Sequence, residues 1–132
     1  MRMRKLILIS AAVLIPLAAQ ARDITADETV RGFVTTSVLA AKVAQGCKKI
    51  SVSTEGLLAL QLDVTAHIEA ENYTVEEAAP LQDAAFNAEI EEAAVAQIKE
   101  RGFDPQKAKD LCAFGTEEMT KGSPVGAVLE SR

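Results

Sequence analysis

The chain has 132 residues, with 14 Lys and Arg against 19 Asp and Glu and a formal net charge of −5. That length suits one domain, and the acidic balance repels phosphate backbones and anionic lipid headgroups, which argues against nucleic-acid and membrane-surface roles. There is no Trp, only four Phe and one Tyr, so the core has to be built from Leu, Val, Ile and Ala.

Residues 1–21 read as a secretory signal peptide. Arg2, Arg4 and Lys5 precede the apolar run Leu6 to Leu17, and Ala19-Gln20-Ala21 is a small-x-small cleavage site. A run of about a dozen apolar residues falls short of the roughly 20 needed to span a bilayer. The expectation is cleavage after Ala21, a periplasmic or secreted location, no membrane association afterwards, and a single domain over residues 22–132. Three of the basic residues go with the leader, leaving 11 against 19 acidic ones, a net charge of −8. Cys47 and Cys112 are the only cysteines, and in an exported chain an even pair reads as one disulfide. Closing that 65-residue separation stabilises the fold by about 4 kcal/mol in the chain-entropy account. No Cys-x-x-Cys spacing suggests redox catalysis.

The elements read as helical nearly throughout. Thr25 to Glu28 fits a capping box that starts a first helix, behind which Val30, Phe33, Val34, Ser37, Val38 and Ala41 form a stripe at spacings of three and four. A second helix is expected over about residues 48–71, with Ile50, Leu57, Leu58, Gln61, Val64 and Ile68 inward and Gly56 weakening its middle. Asn72 suits a left-handed terminator, and Thr74 to Glu77 is a second capping box. Pro80 should end or kink that turn, releasing a longer helix from about Leu81 to Arg101 with Phe86, Ile90, Ala93, Ala94 and Ile98 buried. Gly102 should cap it. Asp104-Pro105 and Ser123-Pro124 are start signals for a fifth helix, carrying Ala108, Leu111, Cys112, Gly115 and Met119, and for a short last one with Val125, Val128 and Leu129. Ile50 to Ser53 is the nearest approach to a strand and is too short to oppose its helical context. The fold class is therefore all-α, one bundle of five or six helices tied by the disulfide.

The Asn72-Tyr73-Thr74-x-x-Glu77 turn, Gly102, Cys112-x-x-Gly115-x-Glu117 and Ser123-x-x-Gly126-x-x-Leu129, with Cys47 ahead of a long helix, resemble a set of small exported alphaproteobacterial proteins of unknown function. The likeness spans nearly the whole mature chain. It implies a bacterial periplasmic setting and supplies no catalytic residue.

Candidate chemistry rests on spacing. Asp63, His67 and Glu71 stack on one helical face and are candidate cation ligands, but they span about 12 Å along the axis, too far to meet one ion without another helix. Glu76, Glu77, Glu89, Glu91 and Glu92 lack the turn glycine of a calcium loop and the aromatic platforms of a glycosidase, so they read as solvated faces. With one His and no Gly-x-Ser-x-Gly elbow, an enzyme is not expected, nor is a cofactor. The expected role is a periplasmic interaction module docking a basic protein partner, with Ser123, Val125, Val128 and Leu129 as the candidate face. The alternatives are an acid-stress or holdase-type chaperone and an immunity-type inhibitor of a secreted toxin.

Overall fold

The computed structural model describes residues 21–132, so the signal-peptide reading lies outside the described residues except at Ala21. Helix α1, Glu28–Gly46, is the axis of the fold and packs on most other elements. Its cap is Asp27, whose side chain accepts from the Val30 amide at 3.0 Å, and not Thr25. Thr25 belongs to a preceding 3-10 turn, Ile24–Ala26, where both its amide and its hydroxyl are taken by Asp23. The side of α1 turned to the core carries Val30, Leu39, Ala40 and Val43. The expected stripe of Phe33, Val34, Ser37, Val38 and Ala41 is only half-buried and faces the second helix instead.

Among the described residues six helices and the Cys47–Cys112 disulfide make the expected all-α bundle, and residues 50–53 are a local correction to the helical reading. Ile50–Val52 forms β1, which pairs antiparallel with β2, Leu129–Ser131, placing Ile50 opposite Ser131 and Val52 opposite Leu129. Each strand is too short to show a period on its own, and the hydrogen-bonded partner comes from the other end of the domain. The second helix, α2, therefore starts at Thr54 and runs to Ala70, with Ser53 as its cap accepting from the Gly56 amide at 3.1 Å. Asn72 ends the connection after it with φ 55°, in the left-handed region expected of a helix terminator.

Thr74 and Glu77 form the expected reciprocal capping box of α3, Val75–Ala78. A 3-10 turn, Ala79–Gln82, places Pro80 in its first turn, and α4 begins at Ala84 and ends at Glu100. Its inner face is the expected one, Phe86, Ile90, Ala94 and Ile98. Gly102 follows at φ 84°, which a side chain would strain. Helix α5, Ala108–Lys121, starts later than Asp104-Pro105 suggests, because Asp104 is held in the preceding turn: its amide donates to Asp110 at 2.7 Å and its side chain accepts from Gln106 at 2.9 Å. Gly115 lets α5 lie close to α1 and β1, since a Cβ there would stand 2.5 Å from Val43 and 2.9 Å from Ile50. Ser123 caps α6, Pro124–Ala127, with Pro124 in its first turn, as the sequence suggests.

One core joins these pieces: Leu39, Val43, Ile98, Phe114, Val128 and the Cys47–Cys112 disulfide, whose Cα atoms are 5.0 Å apart. The disulfide ties the end of α1 to α5. Among the described residues, no helix is long and apolar enough to cross a membrane.

Candidate functional site

Helix α2 departs from the rest of the fold. It packs chiefly on α1, and none of its residues is buried. Yet its apolar residues point around more than half of its circumference, more than one contact face covers. Leu57, Leu60, Val64 and Ile68 turn toward the body of the protein and are half-buried, whereas Leu58 and Leu62 point outward at 55% and 62% exposure. Leu58, expected on the inner side, is thus on the outer one.

Between α1 and α2 runs an open groove of about 260 Å³, floored by Phe33, Val34, Val38 and Ala41 of α1 and walled by Leu60 and Val64 of α2, with Ser37 and Gln61 as its only polar lining. On the helix, the exposed Gln61 and Thr65 lie between the groove wall and Leu58, so the exposed leucines form a separate stripe on the outer side of α2.

The far end of α2 is fixed by a polar cluster. Tyr73 donates its hydroxyl to Asp27 Oδ2 at 2.9 Å and His67 Nε2 donates to the same oxygen at 3.0 Å, while Asp27 Oδ1 caps α1. A carboxylate accepts only, so the proton of this contact sits on Nε2. The His67 bond is the largest influence on the Asp27 carboxyl; with the Val30 amide and the Tyr73 hydroxyl it outweighs burial and holds the group down at about 2, and the bond to Asp27 in turn raises the Tyr73 hydroxyl. The Arg22 guanidinium stacks 4.1 Å over the Tyr73 ring, and its backbone amide donates to Glu77 at 3.0 Å. This cluster locks the C-terminal end of α2 to the start of α1.

The candidate cation ligands are not brought together. His67 is committed to Asp27, and Asp63 and Glu71 stand exposed. Among the described residues, no group of three or more His, Cys, Asp and Glu side chains is arranged to hold a metal ion.

The proposed docking segment is corrected as well. Val125, Val128 and Leu129 are 7%, 2% and 6% exposed and belong to the core, and Ser123 is occupied as the α6 cap, accepting from the Gly126 amide at 3.0 Å. These side chains present no apolar face to a partner. Ser123 contacts a second feature that sequence reasoning missed, the buried carboxylate of Glu118. Burial pushes its pKa up, but the Ser123 hydroxyl and the Arg101 guanidinium outweigh burial and hold it below the ordinary value. Arg101 also stacks over the Phe114 ring at 5.1 Å. Every donor and acceptor there is satisfied by the protein, so this is a structural lock between the end of α4, α5 and α6.

No curated protein and no solved structure matches the chain. The family model that does match covers residues 22–130, the whole helical domain from Arg22 through the first two residues of β2, and the chain belongs to this family of unknown function, DUF5333.

Proposed function

We propose that the protein is an exported interaction module that docks another protein on the outer side of α2 and acts by binding, not by catalysis. The observation that carries the reading is α2 itself, a helix with apolar residues on both sides, half-buried on the inner one and with Leu58 and Leu62 more than half exposed on the outer one. Covering each leucine adds roughly 1–2 kcal/mol of favourable burial, enough for two side chains to dominate a small interface. The only histidine is committed to orienting α2, which supports a binding role over a catalytic one. Export to a bacterial periplasm is supported by the disulfide, which persists in oxidising compartments, and by a family match that begins at Arg22, the residue after the expected cleavage point.

A photo-crosslinking side chain placed at Leu62 in cells tests the reading, with Lys109 on α5 as the control position. A discrete protein adduct from position 62 and none from position 109 is the expected result. Equal labelling from both positions, or none from either, refutes it.

A further inference from the structure

Resting on the outer side of α2 as the docking surface, we infer that its partner is a basic amphipathic helix, with apolar residues along one face and Lys or Arg about four turns apart at either end of that stripe. Glu55, Leu58, Leu62, Thr65 and Glu69 follow a spacing of three and four along α2, so they share one exposed stripe in which two leucines lie between two carboxylates. The two glutamates are 14 positions apart, about 21 Å along the axis.

No cation within these two helices answers them. Helix α2 contains no Lys or Arg. The two in α1 point the other way: Arg31 pairs with Glu89 at 3.3 Å and Lys42 pairs with Glu91, both on α4. Among the described residues, Glu55 and Glu69 make no ion pair, although seven Lys or Arg ion pairs form elsewhere on the protein. Both cations of α1 are spent on α4, and the leucine stripe is left with a carboxylate at each end.

That arrangement selects among occupants. A second copy of this chain is disfavoured by symmetry: an antiparallel α2 pair centred on Leu62 sets Glu55 against Glu69 of the other copy, and a parallel pair sets each glutamate beside its twin. Like charges meet either way. Anionic lipid is repelled by the same carboxylates and by the net charge of −8 on residues 22–132. A helix carrying Leu at matching spacing and Lys at its flanks answers both the leucines and the carboxylates of this stripe.

The test uses the disulfide-bonded protein purified from a bacterial periplasm and four fluorescent 18-residue helical peptides: Leu face with Lys flanks, Leu face with Glu flanks, Leu face with Gln flanks, and Ser face with Lys flanks. Fluorescence anisotropy should show the first binding at least tenfold tighter than each of the others, with affinity falling as salt rises. Leu58→Ser with Leu62→Ser should weaken it at least tenfold, and Glu55→Gln with Glu69→Gln about three- to tenfold with a flatter salt dependence, the thermal midpoint of both double variants staying within about 2 °C of the parent. The inference is overturned if the Glu- or Gln-flanked peptide binds as well, if the Ser-faced peptide binds as well, if either double variant binds like the parent, or if no peptide binds. It is equally overturned if sedimentation finds a dimer that Leu58→Ser with Leu62→Ser dissolves. A crosslink from position 62 together with no preference for the Lys-flanked peptide would leave the docking face standing and refute only the basic partner.

Discussion

Asp27 does three jobs with one carboxylate, so its replacement separates them. It caps α1 through the Val30 amide and receives the Tyr73 hydroxyl and His67 Nε2 that hold the end of α2. Asp27→Ala removes the cap, worth about 1 kcal/mol, and strips two half-buried donors of their acceptor, for a total loss of about 2–3 kcal/mol. Asp27→Asn keeps the cap and the volume and removes the charge. The folded carboxyl sits at about 2 against an ordinary value of 3.8, equivalent to roughly 2 kcal/mol by linkage and taken here as about 1–2 kcal/mol because water still reaches His67. A folded pKa below the unfolded one gives stability that is present above the unfolded value and lost as pH falls through the folded value. The gap between parent and Asp27→Asn should therefore be full at pH 7, about half its size near pH 3 and nearly closed at pH 2. Urea unfolding followed by circular dichroism across that range measures it. A gap that stays constant from pH 7 to pH 2 would show that the charge of Asp27 contributes nothing and that the cluster holds α2 by shape alone.

Opposite signs are expected at two glycines: at Gly56 a Cβ would stand 2.2 Å from the Ala127 carbonyl oxygen and 2.9 Å from Val128 Cα, so Gly56→Ala should cost about 2 kcal/mol despite its better helix propensity, whereas nothing lies within 4 Å of a Cβ at Gly32 and Gly32→Ala should gain about 0.5–1 kcal/mol, both read from urea midpoints. Replacing both cysteines by Ala should cost about 3–4 kcal/mol by the same assay, and a thiol titration of the unreduced, denatured protein should find no free thiol; two free thiols would exclude the bond. At pH 3 the parent should bind a hydrophobic dye more than at pH 7, since Asp27, Glu77 and Glu118 all have lowered carboxyl pKa values and lose stabilising charge on that descent, but it should not reduce the turbidity of an aggregating client; client protection would favour the chaperone alternative.

What could be read from the sequence was whatever is encoded locally. Thr74 with Glu77, Ser123 with Pro124, Gly102 and Asn72 each carry their instruction within four residues, and each sits where that instruction places it. The α4 stripe was legible because one side of that helix meets the core and the other meets water. Thr25 competed for the same helix start as Asp27 two residues later, and only the 3-10 turn that Asp23 organises decides between them. The β1–β2 pairing was illegible for a stricter reason. Three residues have no measurable period, and the hydrogen bonds that make Ile50–Val52 a strand come from Leu129–Ser131, a non-local contact that no window along the chain contains.

The candidate site fell outside that local code because pattern reading assumes that an apolar residue is one the protein itself covers. Applied to the C-terminal segment, the assumption ran in reverse: Val125, Val128 and Leu129 were assigned to a partner, although all three belong to the protein's own core. Applied to α2, it put Leu58 inside with Leu57. One helix face can hold only part of the set Leu57, Leu58, Leu60, Leu62, Val64 and Ile68, since these residues point around more than half the circumference. The surplus was visible as arithmetic: more apolar positions than one contact face can bury, on a helix whose only Asp and Glu are Glu55, Asp63 and Glu69. A helix with that composition has two faces to cover, and α1 covers one. The pair Leu58 and Leu62, set between Glu55 and Glu69, is the part of this sequence that the fold does not use.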